Sequence, residues 1–346
     1  MEGMKQNPVT LVGGGIAGLS LGIGLRRAGV PVTLIEASTY PRHRVCGEFI
    51  SGVSQETLKL LGVEDLLDDA EICRETVWHD RSGPVLQKPL PIPALGISRY
   101  RLDQRMAERF RALGGELREG ERFRDLDTPR EGFVFATGRP RDISSPWLGL
   151  KGHLLDYHLG TDLEMHLGDG GYIGLSRIED GRVNACGLFR LRGELKLNGS
   201  EALVVYLKAC GLEKLASRIA GSSLDPDSLS AVSAFQFGHQ NGGSEAMLRL
   251  GDRFSIIGPF TGHGMSMAFQ TAALALPFLV HYSRREMSWG DLTRDCNRLL
   301  KRSFQRRLGI SRVVHPFLTS SLGRRAVIGF AKRDWLPFSL LYRATR

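Results

Sequence analysis

Gly13, Gly15 and Gly18 stand at the spacing G-x-G-x-x-G, between a short β-rich run, Val9–Val12, and an Ala/Leu-rich segment closed by Gly29. Each glycine has a physical task at a diphosphate site. Gly13 permits a tight strand-to-helix turn, Gly15 lets the backbone approach a diphosphate directly, and Gly18 lets helix and strand pack closely. The free amides at the start of the helix, Ile16 and Ala17 among them, would face the phosphates. A second β-rich run, Val32–Ile35, ends on Glu36 and Ala37, the acid standing 18 residues after Gly18. A carboxylate there accepts from ribose hydroxyls and repels a 2′-phosphate. The segment predicts a β-α-β unit for FAD or NAD, not NADP.

Four further segments separate FAD from NAD. Arg42-His-Arg44-Val-Cys46-Gly47-Glu48 follows the second strand, and Ser98-Arg99-Tyr-Arg101-Leu-Asp103 opens a helix that precedes Gly114-Gly115-Glu-Leu117. Phe133-Val-Phe-Ala136-Thr137-Gly138 reads as a strand ending in A-T-G. Leu250-Gly251-Asp252 is followed, after six residues, by Pro259-Phe-Thr-Gly262-His-Gly264-Met265. In this order the segments resemble those of the geranylgeranyl reductase and p-hydroxybenzoate hydroxylase-like flavoproteins, from Val9 to about Ala275. The resemblance implies FAD. It implies that Arg44, Cys46 and Gly47 run beside the flavin, that Arg99 enters the site, and that Thr137 and Gly138 close the FAD-binding sheet. It also implies that Asp252 meets the ribityl chain while Gly262, Gly264 and Met265 face the isoalloxazine and pyrophosphate. The last segment makes sense without the resemblance: a carboxylate accepts from ribityl hydroxyls, and two glycines expose amides ahead of a helix expected over Met265–Leu276.

The chain departs from these relatives in three places. Aromatic hydroxylases of the fold carry Asp-Gly soon after A-T-G, whereas Gly138 is followed by Arg-Pro-Arg-Asp-Ile. The stretch Glu121–Glu131 is short for the usual run of strands, and Arg253 replaces a small residue, which would add a cation near the flavin. A second G-x-G-x-x-G is missing, because Gly168, Gly170, Gly171 and Gly174 have the wrong spacing. NAD(P)H or another reductant would therefore dock transiently.

Residues 146–240 alternate apolar and polar side chains in short runs (Leu163–Leu167, Tyr172–Leu175, Val183–Phe189), the pattern of a half-exposed sheet. In the relatives such a sheet covers the substrate face of the flavin. Tyr172, in Gly171-Tyr172-Ile-Gly174, is a pocket candidate or a core aromatic. Cys46 is a flavin or substrate contact or a packing thiol. His263, between two loop glycines, could donate to flavin or substrate or face solvent. His153, His158 and His166 match no familiar ligand spacing, so no metal is expected.

These pieces predict an α/β (α+β) fold: a Rossmann-like FAD-binding domain, an inserted antiparallel β-sheet substrate domain and a C-terminal helical tail. The expected division assigns 1–78, 98–145 and 241–283 to the FAD-binding domain, 79–97 and 146–240 to the substrate domain, and 284–346 to the tail. Charged residues make up 24% of the chain and the five cysteines form no close pair, which argues against a disulfide framework. With no leader-like start and an apolar stretch (Met267–Val280) short for a bilayer, a cytoplasmic protein is expected. The formal charge of +9 is localised: from Arg284 onward there are 15 Lys/Arg against 4 Asp/Glu, and before it 31 against 33. The tail is either a helical cap with a solvated basic face or a peripheral contact with an anionic membrane, and nucleic acid is not expected. The expected activity is an FAD monooxygenase or hydroxylase acting on a hydrophobic polyketide, isoprenoid or other natural product. Reduction of isoprenoid double bonds is the second reading, and a non-catalytic FAD-stabilised binding protein the third.

Overall fold

The computed structural model describes residues 6–140, 144–195, 199, 201–233, 238–239, 245–256, 258, 260 and 262–344. The first β-α-β unit forms as expected: β1 (Val9–Val12), α1 (Ile16–Arg27) and β2 (Val32–Glu36), with the two strands paired in parallel from Val9↔Val32 to Val12↔Ile35. Joined by β6 (Glu116–Glu119), β7 (Phe133–Phe135) and β14 (Leu248–Arg249), they make a five-stranded parallel sheet in the order β14-β7-β1-β2-β6. Against it pack α1, α3 (Arg99–Ala112) and α6 (Gly264–Ser283), burying Leu19, Leu21, Ile23, Phe110, Phe269 and Leu276 in one core. Parallel strands need helical crossovers on their faces, so the central strands β1, β2 and β7 read as nearly continuous apolar runs. The helix expected to end near Leu276 continues through Pro277 to Ser283 and by length and composition could cross a bilayer. Its side chains Phe269, Ala272, Ala275 and Leu279 instead belong to the core shared with α1.

A second sheet has eight strands: β3 (Phe49–Ile50), β4 (Glu71–Asp80), β5 (Gly83–Gly96), β8 (Trp147–Leu154), β9 (Leu163–Gly168), β10 (Gly171–Arg177), β11 (Val183–Arg190) and β12 (Leu224–Ser233). Its pairings are antiparallel except β4 with β9, which is parallel. The excursion into this sheet after α1–β2 begins at Glu71, not at residue 79, and Phe49–Ile50 joins it as well. The cause is register: β4 pairs along its whole length with β5 and cannot be cut at its middle. One face of the sheet, through Leu148, Leu150, Ile173, Leu175 and Phe189, is covered by α4 (Glu201–Ala209) and α5 (Glu213–Ala220), two helices that the strand-like alternation of this region does not reveal. The period-2 alternation of a strand sends the intervening residues Gly149, Lys151, Tyr172, Gly174 and Cys186 to the other face.

The tail is helical: α7 (Trp289–Thr319), α8 (Ser321–Lys332) and α9 (Phe338–Ala344), with α2 (Gln55–Leu61) packed under α6. Ala331 and Phe338 share a core with Phe49, Cys73, Val85 and Leu90, so the tail docks on the second sheet. Arg324 fixes it there, donating to the Gly168 carbonyl at 2.6 Å and pairing with Asp169.

Candidate cofactor and substrate site

Gly13 adopts φ +106°, and a Cβ there would lie 2.4 Å from the Ala136 carbonyl oxygen; one on Gly18 would lie 2.0 Å from the Gly13 carbonyl. Both glycines are therefore required by packing, whatever binds. Gly15 is different. A Cβ on it would meet nothing within 4 Å except the Arg99 guanidinium at 3.8 Å. Gly15 is also the N-cap of α1, which has no side-chain cap and no acid in its first turn, so its amides, including those of Ile16 and Ala17, are open to an anion. Gly251 (φ +56°) lies against Ala17, bringing the Gly251-Asp252 loop to the same helix end, and Thr137 and Gly138 follow β7 beside Gly13. Four segments spread over the chain thus converge on one space.

The charges around that space do not balance. Glu36 is buried, with Oε1 accepting from Ser38 N (3.0 Å) and Arg42 (2.8 Å), and Oε2 from Gly14 N (2.6 Å). Burial opposes its ionisation, but Arg42, Arg44 and the Gly14 amide outweigh it and hold the carboxyl down to about 2. Two oxygens offer about four acceptor sites and three are taken, leaving one for a ribose hydroxyl. Ala37, next along, is exposed. Arg99 makes a bidentate pair with the buried Asp103 (2.7 and 2.7 Å), and Arg44 approaches Asp103 and Glu36 at 3.7 Å each. Burial and the neighbouring Arg99 push the Arg44 guanidinium down, and its buried Nε has no hydrogen-bond partner. Three guanidiniums thus face two carboxylates beside an uncapped helix end, a local excess of one positive charge suited to a diphosphate.

On the other side of the loop, Asp252 is partly exposed and Arg139 Nε lies 3.8 Å from its Oδ2. Arg253 does not add a cation to the site. It turns away to Asp127 (2.9 Å) and the Leu126 carbonyl (3.3 Å), and Arg139, directly after A-T-G, takes the position beside Asp252 instead. Gly262 adopts φ +67° against Phe49, while Gly47 and Gly264 have nothing within 4 Å of an added Cβ. His263 is 3% exposed, which removes the solvent-facing reading, and Met265 behind it is buried at the start of α6. Pro259 and Thr261 of this segment lie outside the described residues.

These loops border a cavity of about 220 Å³. Cys46, Gly47, Arg139, Gly262 and His263 line its cofactor side. Across it stand Trp78, Leu163, Met165, Tyr172 and Leu188 of the second sheet, and its roof is Ile310, Val314, Leu318, Val327, Leu336 and Phe338 of the tail. Tyr172 is both readings at once, a core aromatic packed with Leu167 and Leu188 and a wall residue, its phenol pushed well up by burial. Burial also pushes the Cys46 thiol up, which keeps it neutral.

Residues 6–138 match the model of a family described as FAD binding domain. This part of the chain is an FAD-binding domain. No curated protein matches the chain in sequence. Among solved structures, the chain is similar to PqsL, a probable FAD-dependent monooxygenase from Pseudomonas aeruginosa, at 14% identity and TM-score 0.71, covering 93% of this chain and 99% of that one. It is similar to p-nitrophenol 4-monooxygenase PnpA from Pseudomonas putida DLL-E4 (15%, TM-score 0.73, 98% and 96%). The halogenase PltM is similar as well (13%, TM-score 0.75, 97% and 82%). The fold is thus the one shared with these monooxygenase and halogenase structures, and the residues present fit FAD. Gly15 and the α1 amides would hold the diphosphate with Arg44 and Arg99, Glu36 the ribose, and Asp252 the ribityl chain.

The FAD-binding domain meets the second sheet at a cluster that the sequence motifs alone do not assemble. Glu48 accepts from Lys151 (2.7 Å) and the Arg99 amide (2.9 Å), and its other oxygen lies 2.6 Å from His153 Nε2. Its one local signal is the acid of Cys46-Gly47-Glu48, but partners more than 100 residues away are set by the sheet. His166 likewise pairs with Glu164 (2.9 Å) and stacks on His79, a group whose donor atoms lie within 4.8 Å of one another. Arg218, 3.8 Å from Glu164, supplies a cation there, and His158 is exposed.

Proposed function

We propose that this protein is an FAD-dependent monooxygenase acting on a hydrophobic small molecule of the polyketide or isoprenoid kind. The observation that carries the reading is the cavity: its cofactor side is made by the flavin-motif residues Gly47, Gly262 and His263, and its other walls are almost wholly apolar. Bound FAD supplies the hard chemistry, taking hydride at N5 and, once reduced, activating oxygen. The chain supplies position and dryness. Trp78, Met165, Tyr172 and Leu188 would orient an apolar substrate by burial, at about 25 cal/mol per Å² removed from water. The tail roof excludes solvent, which prevents unproductive loss of reducing equivalents. His263 at the edge of the cavity would donate a hydrogen bond to flavin or substrate. The reductant, NAD(P)H or another donor, would dock from outside, since the one parallel sheet among the described residues is taken by FAD.

Saturation of an isoprenoid double bond is the second reading, favoured by the neutral Cys46 thiol in the cavity wall beside Gly47. The experiment is aerobic turnover of the purified yellow protein with NAD(P)H and candidate apolar substrates, followed by oxygen uptake and product mass. Substrate-dependent oxygen uptake with gain of one oxygen atom supports the monooxygenase. Gain of two hydrogens without oxygen uptake supports the reductase, and failure of any donor to bleach the flavin supports a binding protein.

A further inference from the structure

We propose that the outer face of α7–α9 is a docking surface for an anionic lipid bilayer, which would set the roof of the substrate cavity against the membrane. The description of that roof as a substrate wall rests on the function proposed above; the docking itself does not.

The tail helices carry two sets of apolar side chains. The inner one, with Ile310, Val314, Leu318, Val327, Leu336 and Phe338, closes the cavity. The outer one is Val313, Phe317, Leu322, Phe330, Trp335 and Leu340, each at least 50% exposed and Leu322 77%. An amphipathic cap on a soluble core needs only the inner face. Half of the exposed large apolar side chains among the described residues, 7 of 14, fall between Val313 and Leu341, under a tenth of the chain. Exposed apolar side chains scattered singly need no explanation, but a concentration of this kind marks a contact.

Charge selects the occupant. Exposed Arg312, Arg325 and Arg343 make no ion pair among the described residues, and Arg333 sits 5.7 Å over the Trp335 ring. Trp335 and the cations beside it are the residue types that settle at headgroup level, with apolar neighbours reaching the acyl boundary. A second copy of the chain fits poorly: its tail would bring 15 further basic residues, and its body, 31 basic against 33 acidic, is close to neutral. Arg324 and Lys332, by contrast, pair with Asp169 and Asp80 of the second sheet and hold the helices to the body, so the outer face is presented as a fixed surface.

The test is co-sedimentation of the FAD-loaded protein with phosphatidylcholine vesicles, with and without phosphatidylserine, at low and physiological salt. Binding is expected on the anionic vesicles and should weaken with salt. The double variants Phe330→Ser/Trp335→Ser and Arg325→Glu/Arg343→Glu should each weaken it by at least about fivefold, with flavin content unchanged. Absence of binding at low salt, equal binding to neutral vesicles, or binding unmoved by both double variants overturns the proposal. So does a concentration-dependent dimer in light scattering that the same variants dissolve. None of these readouts uses turnover, so a protein that docks without oxygenating anything would overturn only the monooxygenase reading.

Discussion

Glu48 Oε1 and Lys151 Nζ lie 2.7 Å apart, and neither side chain has any exposed surface. They join the loop after β2 to β8 of the second sheet, and they do so immediately behind Cys46 and Gly47 in the cavity wall. Glu48 also carries φ +52°, a left-handed backbone that a non-glycine residue adopts only when its surroundings enforce it. Asn184 and Ser176 hold the same turn, donating at 3.1 Å to the carbonyls of Cys46 and Gly47.

Lys151→Met should therefore destabilise the protein by about 3–5 kcal/mol, because it leaves a buried carboxylate without its cation. The double variant Lys151→Met/Glu48→Gln should recover much of that loss. Urea unfolding of the three proteins measures both. Equal losses in the single and double variants would mean that the pair is not coupled.

Gly15→Val should leave the fold intact and abolish FAD retention. In front of Gly15 only the Arg99 guanidinium comes within 4 Å of an added Cβ, so the side chain fits, but it fits where the diphosphate must approach. Gly18→Val should instead fail to fold, since its Cβ would collide with the Gly13 carbonyl. Circular dichroism and the visible absorbance of the purified proteins separate the two; a yellow, fully loaded Gly15→Val would refute the phosphate-loop assignment.

Asp252→Ala should weaken FAD by about 1.5–3 kcal/mol, the usual worth of a hydrogen bond to a charged group. Titration of the apoprotein with FAD reads it directly. An unchanged affinity would mean that the loop is placed at α1 for packing alone.

Glu36 gives the apoprotein an acid limb. Its carboxyl is held down to about 2 from an ordinary 4.5, so its stabilisation is complete above pH 4.5 and is lost as pH falls toward 2. The amount is on the order of 3 kcal/mol, because each tenfold change in proton affinity is worth about 1.4 kcal/mol. Arg42→Gln should shrink that pH-dependent loss, which urea midpoints between pH 5 and pH 3 would show.

Much of the cofactor half was legible in the sequence because its signals are local. Gly13-x-Gly15-x-x-Gly18 specifies a turn and a helix end within a few residues, and Ser98 caps α3 by accepting from the Arg101 amide at 3.1 Å. The alternation in Leu163–Leu167 and Val183–Phe189 likewise fixes strands. What the sequence left open depends on partners far apart in the chain. The sequence points to Arg253 as a cation near the flavin, but Asp127 draws it away and Arg139 stands beside Asp252 instead. Tyr172 could not be sorted between core and cavity because a face of the sheet is both. The tail read equally as a cap or a membrane contact. Its inner apolar face meets the second sheet more than 200 residues earlier, and only that contact separates the residues that line the cavity from those left exposed.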